Sequence, residues 1–158
     1  MTAYETWTND VLQKLLDALK ANATLGNGTG LVKEYRIGVK APGIHKAYPY
    51  VFLMPVRNVP TELQTDLREH ELTVEAICGH REPGGGEVGD FDRGFSAINK
   101  IAGAVQDEVI AQREDAGGPL SATVKDITTG PVEYALAAEG NAILYEAAVS
   151  IVVLKEEK

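Results

Sequence analysis

The first stretch of the chain repeats apolar residues every three or four positions, which is the spacing of one helix face. Thr2 and Glu5 fit a capping box at its start. Three glycines between Asn22 and Gly30 end the pattern. We therefore predict an amphipathic helix that packs on a sheet. Its apolar stripe consists of Tyr4, Trp7, Val11, Leu15 and Leu19.

Strand patterns follow this helix. Leu31 to Lys40 alternates apolar and polar residues with a period of two, as in a half-buried strand. Tyr50 to Met54 is a continuous apolar run between two prolines, which is typical of a strand covered on both faces. Leu72 to Cys78 alternates again. The polar stretch Arg57 to Arg68 lies between these last two strands, and we interpret it as the arm or loop of a long β-hairpin excursion.

A second helical pattern begins after Asp90, which is a good N-cap residue, and stops at Gly117-Gly118-Pro119. Its apolar stripe consists of Phe91, Phe95, Ile98, Ala102, Val105 and Val109. Extended segments then run from Ala122 to Thr128 and from Val132 to Ala138, with a predicted turn at Gly130-Pro131.

The final segment, Ala142 to Lys155, is the longest predicted strand and is apolar on both parities. Such a strand must be covered on both faces, either by helices of its own chain or by a neighbouring subunit. The whole order predicts the α+β class: a mostly antiparallel sheet of about five or six strands, packed by two α-helices. Residues 1–158 are expected to form a single domain.

Charge and cysteine content limit the classes of function and the locations that the sequence allows. The 15 Lys and Arg residues against 23 Asp and Glu residues give a net charge of -8, without the basic cluster that nucleic-acid binding requires. The single cysteine, Cys78, permits no disulfide within the chain. The polar N-terminus and the absence of a long apolar run indicate a protein made in the cytoplasm, with no membrane segment.

The glycine-rich segment Gly84 to Gly89 matches the spacing G-x-G-x-x-G between a strand and a helix. A dinucleotide site would need these glycines directly at the strand end. His80 to Pro83 intervenes, and the acidic residue expected about twenty positions later falls inside a helix. A connecting loop is therefore the favoured interpretation, and a small nucleotide-binding enzyme remains the weaker alternative.

Histidines and Cys78 are the other chemical candidates. Cys78, His80 and His70 share one strand parity, while His45 lies in a different loop. A closed zinc site needs four ligands at suitable spacing, so we predict no metal site. Cys78 is interpreted as a small buried hydrophobic residue rather than a nucleophile. No catalytic residue and no cofactor are predicted.

The order of the elements is similar to that of one known family. Its parts are the N-terminal helix, the strand Tyr48-Pro49-Tyr50-Val51-Phe52-Leu53, the segment Glu71-Leu72-Thr73-Val74-Glu75-Ala76, the helix Phe91 to Arg113 and the final strand Tyr145 to Val153. Together they resemble the tail terminator, or tail completion, proteins of long-tailed bacteriophages. The resemblance covers nearly the whole chain as an order of elements rather than as a signature.

This resemblance implies a non-enzymatic virion protein of the tail and neck, assembled in the host cytoplasm. Copies would form a hexameric ring that caps the tail tube, ends its polymerisation and presents a surface for head joining. The expected partners are the tube protein and a head-side connector, while DNA passes through without specific binding. Another neck component, a head-completion or stopper protein, is the alternative. The expected subunit or tube contacts are Arg57, Pro60, Glu62, Gln64, Asp66, Arg68 and Leu154.

Overall fold

The computed structural model describes residues 3–26, 30–40, 46–64, 67–83 and 88–157. Two helices and five strands lie within them. In chain order they are α1 (Ala3–Ala21), β1 (Glu34–Ile37), β2 (Tyr50–Gln64), β3 (Leu67–Pro83), α2 (Val88–Glu114), β4 (Asp126–Glu139) and β5 (Ala142–Glu157).

The strands form one sheet in the order β1-β2-β3-β5-β4. β1 runs parallel to β2, and the other neighbouring strands pair antiparallel. The predicted class, α+β with a mostly antiparallel sheet and two helices, is confirmed. β1 and β4 are the outermost strands among the described residues, so the long C-terminal strand β5 lies inside the sheet.

The hydrophobic core lies between the two helices and one face of the sheet. Alternate residues of β3 and β5 point into it, and each is at most 1% exposed because the helical stripes cover this face. The strand side of the core includes Leu72, Val74, Ala76, Cys78, Tyr145, Ala147, Val149, Ile151 and Val153. We call this the helix-covered face and the opposite side the open face.

On the open face, aromatic side chains cover the start of β2. The Tyr50 ring stacks on Phe52 at 4.3 Å between centroids, and Tyr48 lies 5.5 Å from Tyr50. The Tyr50 hydroxyl donates a hydrogen bond to Glu146 at 3.0 Å. A Cβ atom on Gly79 would lie 2.1 Å from the Tyr50 ring, so the ring can cross β3 only above a glycine.

Three predicted boundaries were wrong. The segments 122–128 and 132–138 are not two strands, because β4 continues through Gly130-Pro131 with a register irregularity between Thr129 and Val132. A bulge accommodates the proline, which has no N–H to give to a ladder. Asp90 lies inside α2 and is not its N-cap. Only Glu34–Ile37 of the segment 31–40 is strand.

The described residues of the polar stretch 57–68 belong to β2 and β3, and residues 65 and 66 lie outside the described residues. The register between the two strands runs from Tyr50 opposite Gly79 to Gln64 opposite Leu67. β3 also pairs with β5 as far as Arg68 opposite Glu157. Residues 57–64 and 67–68 therefore form one end of a three-stranded part of the sheet, which we call the β2–β3 end.

Candidate interaction surfaces

Large apolar side chains that remain exposed concentrate at the two outer edges of the sheet. Seven such side chains occur in the described part of the chain, and six of them lie at these edges. At the β1 side they are Ile37, Val39, Met54 and Val56, and at the β4 side they are Tyr134 and Leu136. The seventh, Ile110, lies on α2. Contiguous exposed apolar surface indicates a contact with another molecule.

The second half of β4 is an edge strand with little protection against pairing. Residues 132–138, which we call the distal β4 edge, pair with β5 on one side and with no described strand on the other. Tyr134 is 53% and Leu136 48% exposed. Natural edges are usually blocked by lysine, proline or inward-pointing charge. The distal β4 edge has none of these blocks, and its only charged residue is Glu133.

The opposite edge is formed by residues 33–40, which we call the β1 edge. Ile37 is 37% and Val39 48% exposed. Gly38, at a φ of 89°, ends the strand, and its N–H donates to the Leu53 carbonyl at 2.7 Å. The side chains of Glu34 and Lys40 form an ion pair, and the Ala47 amide also donates to Glu34. Burial alone would raise the pKa of Glu34, but these partners lower it overall.

The predicted contact residues lie at the β2–β3 end. Arg57, Pro60, Glu62 and Arg68 are exposed, and Leu154 is partly buried. Arg68 is the cross-strand partner of Glu62, and Leu154 that of Glu71. Gln64 belongs to β2, whereas Asp66 lies outside the described residues. The structure thus brings most of this set to one end of the sheet but on two faces, with Arg57 and Leu154 on the open face.

An ion cluster stabilises the open face near this end. Lys125 donates hydrogen bonds to Glu69 at 2.9 Å and to Glu156 at 2.6 Å. These hydrogen bonds raise the pKa of Lys125. The cluster joins β3 and β5 to the segment that precedes β4, so it fastens the strand end to its own chain.

Cys78 and His80 lie two positions apart on the same face of β3, and His70 lies further along that face. Cys78 is fully buried, and burial, with a smaller effect of Glu146, raises the pKa of its thiol to about 12. His80 contacts Glu82 at 2.8 Å, and His70 packs 5.1 Å from the Tyr4 ring. A thiol with so high a pKa is not a nucleophile at neutral pH.

The remaining chemical candidates are a metal site and a nucleotide site. Among the residues that the structure describes, no three His, Cys, Asp or Glu side chains are grouped to hold a metal ion. His45 and the glycine-rich residues 84–87 lie outside the described residues, and Gly89 is in α2. A depression of about 300 Å³ beside α2 is lined by Arg113 and Lys125. Each of these cations is already paired with a carboxylate, so the depression is not an anion site.

Neither helix of the described residues is both long and apolar enough to cross a bilayer.

Sequence reasoning did not identify the distal β4 edge. The signal was present, since Tyr-Ala-Leu-Ala-Ala between Glu133 and Glu139 is apolar on both parities. A half-buried strand shows polar residues on every second position. An apolar segment that proves to be an outer strand is therefore a marker of contact, but its place in the sheet comes only from the fold.

The fold and these surfaces define the class: an α+β domain with one helix-covered face and two apolar sheet edges. No family model matches the chain, and no curated protein matches it. Solved structures do match, with 25 chains in all. One belongs to the structure described as "Virion of native gene transfer agent (GTA) particle". It is 16% identical, its TM-score is 0.53, and the match covers 90% of this chain and 92% of that chain. At this identity the likeness establishes a shared fold.

Proposed function

We propose that this protein is a structural, non-enzymatic component of a phage-like virion, and specifically a ring that caps the tail tube. The observation that supports the proposal most is the fold likeness to a chain of a gene transfer agent virion, which extends over 90% of this chain and 92% of that one. Nearly full coverage of both chains means that the likeness extends over the whole fold and is not limited to a common small motif.

The surfaces suit such a role. A ring requires that each subunit offers two different patches, one to each neighbour. This chain has two different apolar patches at opposite edges of one sheet. Six copies in a ring would leave the remaining surfaces for the tube protein on one side and a head-side connector on the other.

The charge suits a channel for DNA. The net charge is -8, and the open face carries Glu71, Glu75, Glu133 and Glu146. A surface that releases no counterions from phosphates has little affinity for DNA. If this face lines the channel, exiting DNA passes without binding. Assembly would take place in the host cytoplasm, and the mature location would be the virion neck.

Tube capping can be measured directly. Tail tubes are polymerised from the tube protein of the same genome, with and without this protein, and are examined by negative-stain electron microscopy. We expect a ring at one tube end and a halt in elongation. Tubes that lengthen equally in both samples, with no end density, would overturn the capping role.

The β2–β3 end is the proposed tube contact. The double variant Arg57→Gln/Arg68→Gln removes two exposed charges without placing a carboxylate opposite Glu62 and Glu157, the cross-strand partners of Arg68. Lys100→Gln removes an exposed charge on α2 and serves as the control. We expect the first variant, but not the control, to lose tube capping with an unchanged circular dichroism spectrum. Binding to the head connector alone, with no affinity for tubes, would instead assign a head-completion or stopper role.

A further inference from the structure

We infer that the distal β4 edge of one copy pairs antiparallel with the β1 edge of a second copy, so that the sheet continues from subunit to subunit. This inference deepens the proposed function, since it names the contact by which copies of the proposed ring meet. It is argued from apolar exposure, charge and strand direction, each of which is independent of the virion likeness.

Exposed apolar side chains lie at both edges of the sheet. Tyr134 and Leu136 at one edge, and Ile37 and Val39 at the other, are all more than one-third exposed. Contact between unlike edges covers both pairs in one interface. Contact between like edges covers only one of them and leaves the second patch in water.

The charges of the two edges are opposite in sign, which favours pairing of unlike edges. Residues 33–40 contain Lys33, Arg36 and Lys40 against the single carboxylate Glu34. Glu34 pairs with Lys40, and the charge of Arg36 also lowers the pKa of Glu34, so one carboxylate faces three cations and the segment stays positively charged. Residues 130–140 contain two carboxylates, Glu133 and Glu139, and no Lys or Arg. Within a chain of net charge -8, the β1 edge is thus a basic segment that faces an acidic one.

The position of Arg36 also favours an acidic partner. Its side chain is half-buried, and its Nε is buried without a hydrogen-bond acceptor in the described part of the chain. A buried donor without an acceptor costs free energy. Arg36 lies on the open face, as its cross-strand partner Phe52 does, and Glu133 lies on the same face of β4. A carboxylate of the second copy would therefore approach Arg36 from the correct side.

Strand direction gives the third step. β1 is parallel to β2, and the antiparallel pairs β2–β3, β3–β5 and β5–β4 make β4 antiparallel to β1. A second copy placed beside the first in the same orientation therefore presents β1 antiparallel to β4. The helix-covered faces then stay on one side. With Ile37 opposite Tyr134, Arg36 lies opposite Ala135 and diagonal to Glu133, within reach of a long side chain. The β4 edge also provides unpaired N–H and C=O groups for this ladder.

Disulfide trapping tests the pairing. Ile37→Cys and Tyr134→Cys are prepared as separate variants, mixed, oxidised and run on non-reducing gels, both at high protein concentration and with tail tubes present. The native Cys78 is fully buried and is not expected to crosslink. We expect the mixed 37–134 dimer to dominate over either homodimer. Ile110→Cys, at 47% exposure on α2, is the matched control and should link to neither.

The alternative pairing has its own signature. Dominant 134–134 dimers would mean that two β4 edges meet, and this would overturn the inference. Absence of the 37–134 link under both conditions, with folded variants, would overturn it as well. If the link forms but tube length is unaffected, the contact stands and tube capping fails. If tubes are capped without the link, capping stands and the contact fails.

Charge exchange is the second readout. Glu133→Lys and Arg36→Glu should each weaken self-association in sedimentation velocity, and the double variant should regain part of the loss. Leu136→Lys should weaken it about tenfold or more, because an unpaired charge would be buried in the contact. Ile110→Lys should leave it unchanged. Equal effects of Leu136→Lys and Ile110→Lys would contradict the inference.

Discussion

The β2–β3 end and the distal β4 edge differ in how much of their surface their own chain satisfies. The β2–β3 end is polar and is paired with β5 as far as Glu157. At this end, Lys125 donates hydrogen bonds to Glu69 and to Glu156. The distal β4 edge is apolar and has a described neighbour only on one side. Polarity alone therefore does not identify a contact surface. An apolar strand without an outer neighbour is the stronger indicator, because its backbone groups and side chains both lack a partner.

Truncation of one leucine in each region should give the largest difference in stability. Leu72 of β3 is 1% exposed, so Leu72→Ala should lower the free energy of unfolding by about 2–5 kcal/mol through lost burial and a cavity. Leu136→Ala should change it by about 0.5 kcal/mol or less in the monomer. Urea unfolding at low protein concentration measures both. Similar losses for the two variants would mean that β4 is part of the core.

Backbone exchange sharpens the same comparison. In dilute protein, the outward amides of residues 132–138 should exchange with deuterium much faster than those of residues 72–78, which lie between two paired strands. At the concentration where copies associate, residues 132–138 should gain protection and residues 72–78 should not. Hydrogen exchange with mass spectrometry reads both segments in one experiment. Protection of 132–138 that does not depend on concentration would argue against a contact there.

The ion cluster at the β2–β3 end should have a smaller effect. Lys125→Met removes the hydrogen bonds to Glu69 and Glu156 and leaves two carboxylates near each other. Since Lys125 is exposed to solvent, we expect a modest fall in the melting temperature at low salt. At about 1 M salt, where charges are screened within about 3 Å, the difference should disappear. A loss that persists in high salt would indicate a packing role instead.

Acid should loosen the β1 edge by the smallest amount. The pKa of Glu34 in the folded protein lies below its ordinary value of 4.5, owing to Lys40 and the Ala47 amide, which outweigh the effect of burial. A lowered folded pKa adds stability that is fully present above the unfolded pKa and is lost as the pH falls through the folded one. Glu34→Gln should therefore flatten the pH dependence of stability below pH 4.5. An unchanged acid profile would contradict this assignment.

Much of the fold could be predicted from local patterns. The helical periods predicted α1 and α2, and Cys78 was predicted as a buried residue, as the structure confirms. The errors arose where one sequence pattern fits two local structures. Gly130-Pro131 predicts a turn but also fits a bulge inside β4. The contact residues Arg57, Pro60, Glu62, Gln64, Asp66, Arg68 and Leu154 stay a prediction.

The sequence by itself determined the secondary structure class and the composition of the core, because apolar period depends only on neighbours along the chain. Only the tertiary structure decided which strands are outermost. Tyr134 and Leu136 on β4, like Ala147 and Val149 on β5, belong to apolar segments, yet the first pair is exposed and the second is buried. The difference is the strand order: β5 has a described neighbour strand on both sides and β4 on one side only, although α2 contacts both strands. Strand order depends on contacts between residues far apart in the chain, which local patterns do not record.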